Sequence, residues 1–524
     1  MKVNPHIMSR AVREAYRRKE DDETMEPLVL CGADGRPVGR ICRGDSVIFY
    51  NIRGEREVEL TRSLIEKGFD KFPVEKGLSL TFATMIEYDR RLNTRVAFPP
   101  EGVVRDTLSE VLSKNDVRQV KITEAEKAFH VGYFLNGKID DPFPGEERVI
   151  LPTRKDVRLF DEAPEMSIGA VTQAVLKKIS DPRYRFLFAN FPNVDVVGHI
   201  ENEEAVTRAV EAVDRSTGLV LEAARKAGVT VIVTADHGTV EHWLYPDGSV
   251  DTGHTRSPVP FIIVDEKEKS RLRDGGELAD IAPTVLQLLG LRKPPAMTGS
   301  SLIGKSHRPV ERLLVLILDG WGINDSHDGN LIAKADTPVM DELLSRYPNT
   351  RLKAAGSAVG LPEGTVGNSE AGHLHIGAGR RIYSDRLKIE MAIADGSFFR
   401  NEAFAETMGA CRSKGTALHL MGIVSFFSSH GSIDHLSTLM DMAAKEGVKD
   451  LFIHAMLGRR GEMPESGANY VGTIEKKAAE ISLGKVVSVI GRYWSMDREE
   501  NWDRIEKTYR MLVHGEGRHI SERG

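Results

Sequence analysis

The chain has 524 residues, of which 41% are hydrophobic, 28% charged and 6% aromatic, and its formal net charge is −6. This is globular composition, which excludes disordered, collagen-like and fibrous chains, and at roughly 100–200 residues per domain the length suggests two or three domains. So small a charge imbalance gives no reason to expect nucleic acid or an anionic membrane as a partner. The three cysteines, Cys31, Cys42 and Cys411, fit neither a zinc ribbon nor a disulfide scaffold, so a reducing interior is expected.

In chain order, residues 1–24 are polar, with charges of both signs and no apolar segment of a secretory leader. Ser9 is placed to cap a short helix with Val12, Ala15 and Tyr16 on one face. Phe186 to Phe191 (FLFANF) reads as a buried strand. Residues 201–227 read as a helix with Val206, Val210, Val213, Val220 and Ala224 on one stripe, closed by Gly228. Thr230 to Thr234 (TVIVT) is the next strand, residues 292–309 a Pro-rich loop or linker, and Leu313 to Leu318 (LLVLIL) another strand. That last run is the longest strongly apolar one and far below the ~20 residues that span a bilayer. Residues 501–513 form an amphipathic helix carrying Trp502, Ile505, Tyr509 and Leu512, followed by a polar tail. The strand–helix–strand alternation from about 150 to 290 implies an α/β fold with a largely parallel sheet.

Ligands of open α/β sheets bind at the carboxyl ends of strands. Here LLVLIL runs into Asp319, FLFANF into Asp195 with His199 four residues on, and TVIVT into Asp236-His237. Three carboxylates delivered to one edge repel unless protons or cations neutralise them, and mixed Asp and His suits a divalent metal. Taken singly, such an Asp is often only a turn or helix cap. Residues 299–306 match GxxxxGK[ST] letter for letter, but Pro294, Pro295 and Pro309 deny the strand and helix that a phosphate loop needs. Ser369, in GLPEGTVGNSEAGH, is the nucleophile candidate. Ser-Glu-Ala can open a helix whose N–H groups favour an anion, although a serine N-cap accounts for the same letters.

These and other segments carry a resemblance. VLILDGWG (315–322), TVGNSEAGHLHIGAGRRIY (365–383), NFPNVDVVGH (190–199), TADHG (234–238) and GHTRSPVPFI (253–262) resemble the cofactor-independent phosphoglycerate mutases of the alkaline phosphatase-like superfamily. So do FYNIRGERE (49–57), EAEKAFHVGYFLNG (124–137), PEMS (164–167) and GRYWSMDRE (491–499). The order is rotated, because the family's C-terminal half comes first here, and the chain looks circularly permuted. The resemblance implies an alkaline phosphatase-like, mostly parallel sheet domain, continuous over 102–384. It implies a second α/β phosphotransferase domain split between 1–101 and 385–524.

The resemblance also implies two divalent metal ions, Mn²⁺ foremost, and no need for 2,3-bisphosphoglycerate. Asp195, His199 and His254 would hold one ion, and Asp319, Asp236, His237 and the Ser369 oxygen the other. Ser369 would carry the phosphoryl group beside Lys127. Arg53, Arg56, Arg492, Arg498 and Arg460, with His430, would bind a phosphorylated acid, through bidentate guanidinium pairing. The implied activity is interconversion of 3- and 2-phosphoglycerate by a cytoplasmic monomer. The family's Asp-Gly-Arg-Asp is Gly-Arg-Arg-Gly at 458–461, with both aspartates lost and Glu462 adjacent. Near His430 the family's glycine pair is Phe427-Ser428 and its next histidine Ser432. These departures keep a second implication open, a metal-dependent phosphatase that releases phosphate because the glycerate escapes.

Overall fold

The computed structural model describes residues 6–245, 247–269, 271–304, 307–426, 428, 430–458, 463 and 465–521. The chain divides into two compact units, one of residues 1–100 with 388–524 and one of residues 101–387. Among the described residues sixteen strands are laid down in chain order. In the first segment they are β1 (Leu28–Cys31), β2 (Ser46–Phe49), β3 (Thr81–Ile86) and β4 (Arg95–Phe98). The middle of the chain adds β5 (Gln119–Glu124), β6 (Glu146–Leu151), β7 (Phe186–Phe191), β8 (Thr230–Thr234), β9 (Val259–Val264), β10 (Gly276–Glu277), β11 (Leu313–Leu318) and β12 (Asn349–Lys353). The last segment adds β13 (Leu418–Ile423), β14 (Leu451–Leu457), β15 (Lys485–Gly491) and β16 (Arg518–Ser521).

Each unit is built on one eight-stranded sheet. In the 101–387 unit the order is β10-β12-β9-β8-β11-β7-β5-β6. Its central run, β8-β11-β7-β5, is parallel throughout. β7, β8 and β11 are buried along their whole length, as strands covered on both faces must be. Parallel neighbours end at the same edge, so the residues following β5, β7, β8 and β11 are brought together. In the other unit the order is β16-β1-β15-β14-β13-β2-β3-β4, parallel except for β1 against β15. The fold is thus mixed α/β with two mostly parallel sheets.

Local expectations were met unevenly. The long helix runs over Glu203–Ala227, capped by the Asn202 side chain and closed by left-handed Gly228. Ser9 does not cap the first helix, which spans Ile7–Arg17. The cap position is His6, and Ser9 lies buried inside the helix, where its backbone N–H and that of Met8 donate to Glu475. A carboxylate from a distant helix replaces the local cap. The last helix is Trp502–His514, and the tail after it is not wholly irregular, since β16 pairs with β1. Among the described residues no helix is long and apolar enough to cross a membrane.

Candidate active site

The site of the 101–387 unit is assembled from strand ends. After β5 a single 3-10 turn (Ala125–Lys127) places Lys127, and a π-helical turn (His130–Phe134) follows it. Beyond β7 a short helix (Asn193–Gly198) carries Asp195, while Asp236 and His237 follow β8 and Asp319 follows β11. Ser369 opens the helix Ser369–Ala378. The cap of that helix is Asn368, whose side chain accepts from the Ala371 N–H at 2.9 Å. The Ser369 hydroxyl is therefore not consumed in capping.

The side chains converge tightly. The Lys127 ammonium donates to Ser369 Oγ at 2.6 Å, Asp195 Oδ2 at 2.7 Å and Asp319 Oδ1 at 2.7 Å. Ser369 Oγ lies 3.0 Å from His237 Nε2 and 3.4 Å from Asp319 Oδ1. Asp236, His237 and Asp319 are fully buried, and Asp195, Lys127 and Ser369 nearly so. Three carboxylates thus face one ammonium in a site with little water to screen them. Burial and the charge of Asp236 push the Asp319 carboxyl above its ordinary range. Burial also acts against ionisation of Asp195, but the Lys127 charge and the neighbouring imidazoles outweigh it and hold that carboxyl well below its ordinary range.

The imidazoles show what the site is built to receive. His199 Nδ1 faces the Thr252 carbonyl at 2.7 Å, His254 Nδ1 the Gly367 carbonyl at 2.9 Å and His237 Nδ1 the Gly238 carbonyl at 3.2 Å. A carbonyl only accepts, so each Nδ1 carries a hydrogen, and it is the neutral ring that presents an Nε2 lone pair. All three Nε2 atoms point at Asp195 Oδ1, at 3.3, 3.0 and 3.7 Å for His199, His254 and His237. His199 and His254 bring their Nε2 atoms within 3.2 Å of each other. Without an ion, the hydrogen bond to Asp195 raises the pKa of His199 and outweighs burial at His254 to raise that one too. With the rings neutral, three Nε2 atoms converging on one carboxylate, their outer nitrogens fixed by backbone carbonyls, are the arrangement of metal ligands. Asp236 Oδ2 is buried without a hydrogen-bond partner, a second acceptor suited to a cation. The donors present fit divalent metal.

Among the described residues two groups have ligand atoms close enough together to share an ion: Asp195, His237 and His254, and Asp236, Asp319 and His373. His237 Nε2 sits between them, 3.5 Å from Asp319 and 3.7 Å from Asp236. His373 and Asn190 were missed from the sequence. His373 Nδ1 donates to the Ser369 carbonyl at 3.0 Å and lies 3.2 Å from Asp236 Oδ2. Asn190 donates to Asp319 Oδ2 at 2.7 Å and lies 3.2 Å from His373 Nε2. The four-residue step from Ser369 to His373 was the available signal, since it puts both on one helix face.

The remaining expected residues lie in the other unit. Arg53 and Arg498 both reach Glu55, at 3.4 and 2.7 Å. Arg56 donates to the Met496 carbonyl at 3.0 Å. Arg492 opens the short helix Arg492–Ser495. His430 is buried against Glu57, 3.1 Å away. Arg460, with the rest of 459–462, lies outside the described residues, as do Phe427 of the altered His430 segment and Lys305 and Ser306 of the phosphate-loop match.

A family model described as the Metalloenzyme superfamily matches residues 11–293. One described as the BPG-independent PGAM N-terminus matches residues 389–523, after the first match in chain order. The chain is 41% identical over 298 residues to the 2,3-bisphosphoglycerate-independent phosphoglycerate mutase of Moorella thermoacetica, covering 57% of each. It is 44% identical over 294 residues to the protein of that name from Clostridium botulinum, covering 56% of this chain and 57% of that one. A solved structure of Leishmania mexicana phosphoglycerate mutase at low cobalt concentration is 30% identical, with a TM-score of 0.37, over 52% of this chain and 53% of that one. The chain spans little more than half the length of the curated relatives it matches. With the first family model matched over more than half of its 524 residues, the chain belongs to the Metalloenzyme superfamily.

Proposed function

We propose that this protein interconverts 3- and 2-phosphoglycerate through a phosphoryl group carried on Ser369, with two divalent metal ions and without 2,3-bisphosphoglycerate. The observation that carries the reading is the placement of Ser369 Oγ, a hydroxyl left uncommitted by the Asn368 cap. It sits among an ammonium, an imidazole lone pair and a carboxylate. Asp195, His199 and His254 would hold one ion, and Asp236, Asp319, His237 and Ser369 the other, with His373 adjoining the second set. Bound there, the ions supply Lewis acidity that lowers the serine pKa and stabilises charge on the transferring group. Mixed imidazole and carboxylate ligation suits Mn²⁺.

The chain's own residues do the rest. Lys127 orients Ser369 Oγ and meets the negative charge of the phosphoryl oxygens. The helix opening at Ser369 adds N–H groups that favour the same anion. Arg53, Arg56, Arg460, Arg492 and Arg498 are assigned to the phosphate and carboxylate of the substrate, and His430 to the same phosphorylated acid. The 102–384 stretch then acts as the metal-binding domain, and 1–101 with 385–524 as the substrate domain. The order of the two family matches supports a circular permutation. A cytoplasmic monomer acting on a small molecule completes the reading.

The loss of both aspartates at 458–461 favours one alternative, a phosphatase whose glycerate escapes before the return transfer. The test is incubation with Mn²⁺ and 3-phosphoglycerate, following 2-phosphoglycerate through enolase alongside free phosphate. The mutase reading expects 2-phosphoglycerate at equilibrium with little free phosphate. Free phosphate without 2-phosphoglycerate would establish the alternative.

A further inference from the structure

The 1–100 and 388–524 unit holds a carboxylate that no expected role uses. Glu57 is fully buried at the N-terminal end of the helix Val58–Ile65. Its Oε1 accepts from the Asn51 amide at 2.7 Å and faces His430 Nδ1 at 3.1 Å, and its Oε2 accepts from the Arg56 N–H at 3.1 Å. The Arg56 guanidinium turns away, to the Met496 carbonyl. Asn51 is itself fixed, because its Oδ1 accepts from the Ile423 N–H at 2.8 Å and its carbonyl from the Tyr88 hydroxyl at 2.8 Å. The Asn51 amide must therefore present its NH₂ group to Glu57.

His430 is held as firmly. Its backbone carbonyl accepts from the Ile52 N–H at 2.7 Å, its own N–H donates to Ser428 Oγ at 3.0 Å, and the residue is 3% exposed. A carboxylate accepts only, so the hydrogen between the two side chains belongs to His430 Nδ1. In the neutral ring Nε2 then keeps its lone pair, facing no hydrogen-bond partner among the described residues. A buried carboxylate is costly to desolvate unless its acceptors are used, so a site that keeps one on an imidazole is built around that imidazole.

We propose that Glu57 is a positioning residue that locks His430 in the Nδ1–H tautomer and presents Nε2 as an acceptor to the hydroxyl of a phosphorylated hydroxy acid. The inference rests on the substrate reading above. It gives this chain a fixed hydroxyl-binding group in the unit of residues 1–100 and 388–524. A tautomer set by an outer carboxylate is the usual means of aiming an imidazole.

The test uses full-length protein with nitrogen-15-labelled histidine, the His430 resonance being assigned with a His430→Asn variant. Neutral His430 should carry its hydrogen on Nδ1. In Glu57→Gln the neutral amide keeps one acceptor and turns the other into an N–H donor, so its hold on the Nδ1–H form weakens and a share of the Nε2–H form should appear. In parallel, kcat for 3-phosphoglycerate should fall about tenfold or more, with KM changed less than about threefold. An Nε2–H tautomer in the unaltered protein, or a Glu57→Gln variant with unchanged kcat, overturns the proposal. If Glu57→Gln does not fold, the tautomer of the unaltered protein decides. If the unaltered protein turns over no phosphoglycerate, the substrate reading fails while the tautomer still reports on the pair.

Discussion

Lys127 concentrates the chemistry into one residue. Burial pulls its ammonium towards neutrality, but the charges of Asp319, Asp195 and Asp236 outweigh that and hold it above its ordinary range. It is therefore a permanent cation, serving as an orienting and charge-stabilising group rather than a base. Lys127→Met should lower kcat by at least about a hundredfold. It should also leave bound metal, measured by elemental analysis after gel filtration, undiminished, because the lysine is no ligand and its loss makes the carboxylate cluster more negative. Loss of metal together with activity would place Lys127 in the binding of the ions instead.

At the scale of the element, the helix Ser369–Ala378 is seated by its glycines. A Cβ on Gly372 would lie 2.7 Å from the Asp236 carbonyl oxygen, and one on Gly377 2.0 Å from that of Leu135. Both contacts are with backbone that cannot swing aside. Gly372→Ala should lower stability by about 1–3 kcal/mol, read by chemical denaturation, and weaken metal binding by pushing on Asp236. At the far end His375 pins the chain that follows. Its Nδ1 donates to the Ala371 carbonyl at 2.7 Å and its Nε2 accepts from the Ile382 N–H at 2.9 Å. Burial lowers its pKa from 6.5 to about 4. Between those values the unfolded chain takes up a proton that the folded one refuses, so the stability from this group is complete above pH 6.5 and is lost as pH falls towards 4. Denaturant midpoints from pH 8 to pH 5 should fall less steeply for His375→Gln than for the unaltered protein. Equal slopes would mean that His375 does not couple folding to pH.

At the scale of the whole molecule, the order of the segments sets which unit is continuous. β16 pairs with β1, and Arg518 reaches Glu20 at 2.9 Å, so the described ends of the chain meet within one unit. Gly304 and Arg308 are exposed and lie outside helices and strands. Closure of neighbouring ends and opening of an exposed loop are the conditions under which permutation is tolerated. A reordered chain that starts at Val310, ends at Gly304 and joins the present ends through a short Gly/Ser linker should fold with the same metal content and with activity within about threefold. A reordered chain that folds but binds no metal would make the present order essential to the site.

What could be read in advance follows the same scales. Asp319, Asp195 and Asp236-His237 were legible because each ends an apolar strand run, and parallel strands share an edge. His254 and Lys127 sit in segments without periodicity, so only the resemblance marked them. His373, Asn190 and Glu57 escaped because their partners, such as Asp236, Asp319 and His430, are remote in sequence. Ser9 misled for a related reason, since a distant Glu475 meets the helix start more fully than a local hydroxyl could.

The central claim is that Ser369 carries the phosphoryl group. The direct measurement is acid quenching of the metal-loaded protein with radiophosphorus-labelled 3-phosphoglycerate, followed by peptide mapping. Label is expected on the peptide containing Ser369 and absent in Ser369→Ala, with exchange of the bound label into 2-phosphoglycerate. Label on another residue, or full turnover by Ser369→Ala, would contradict it.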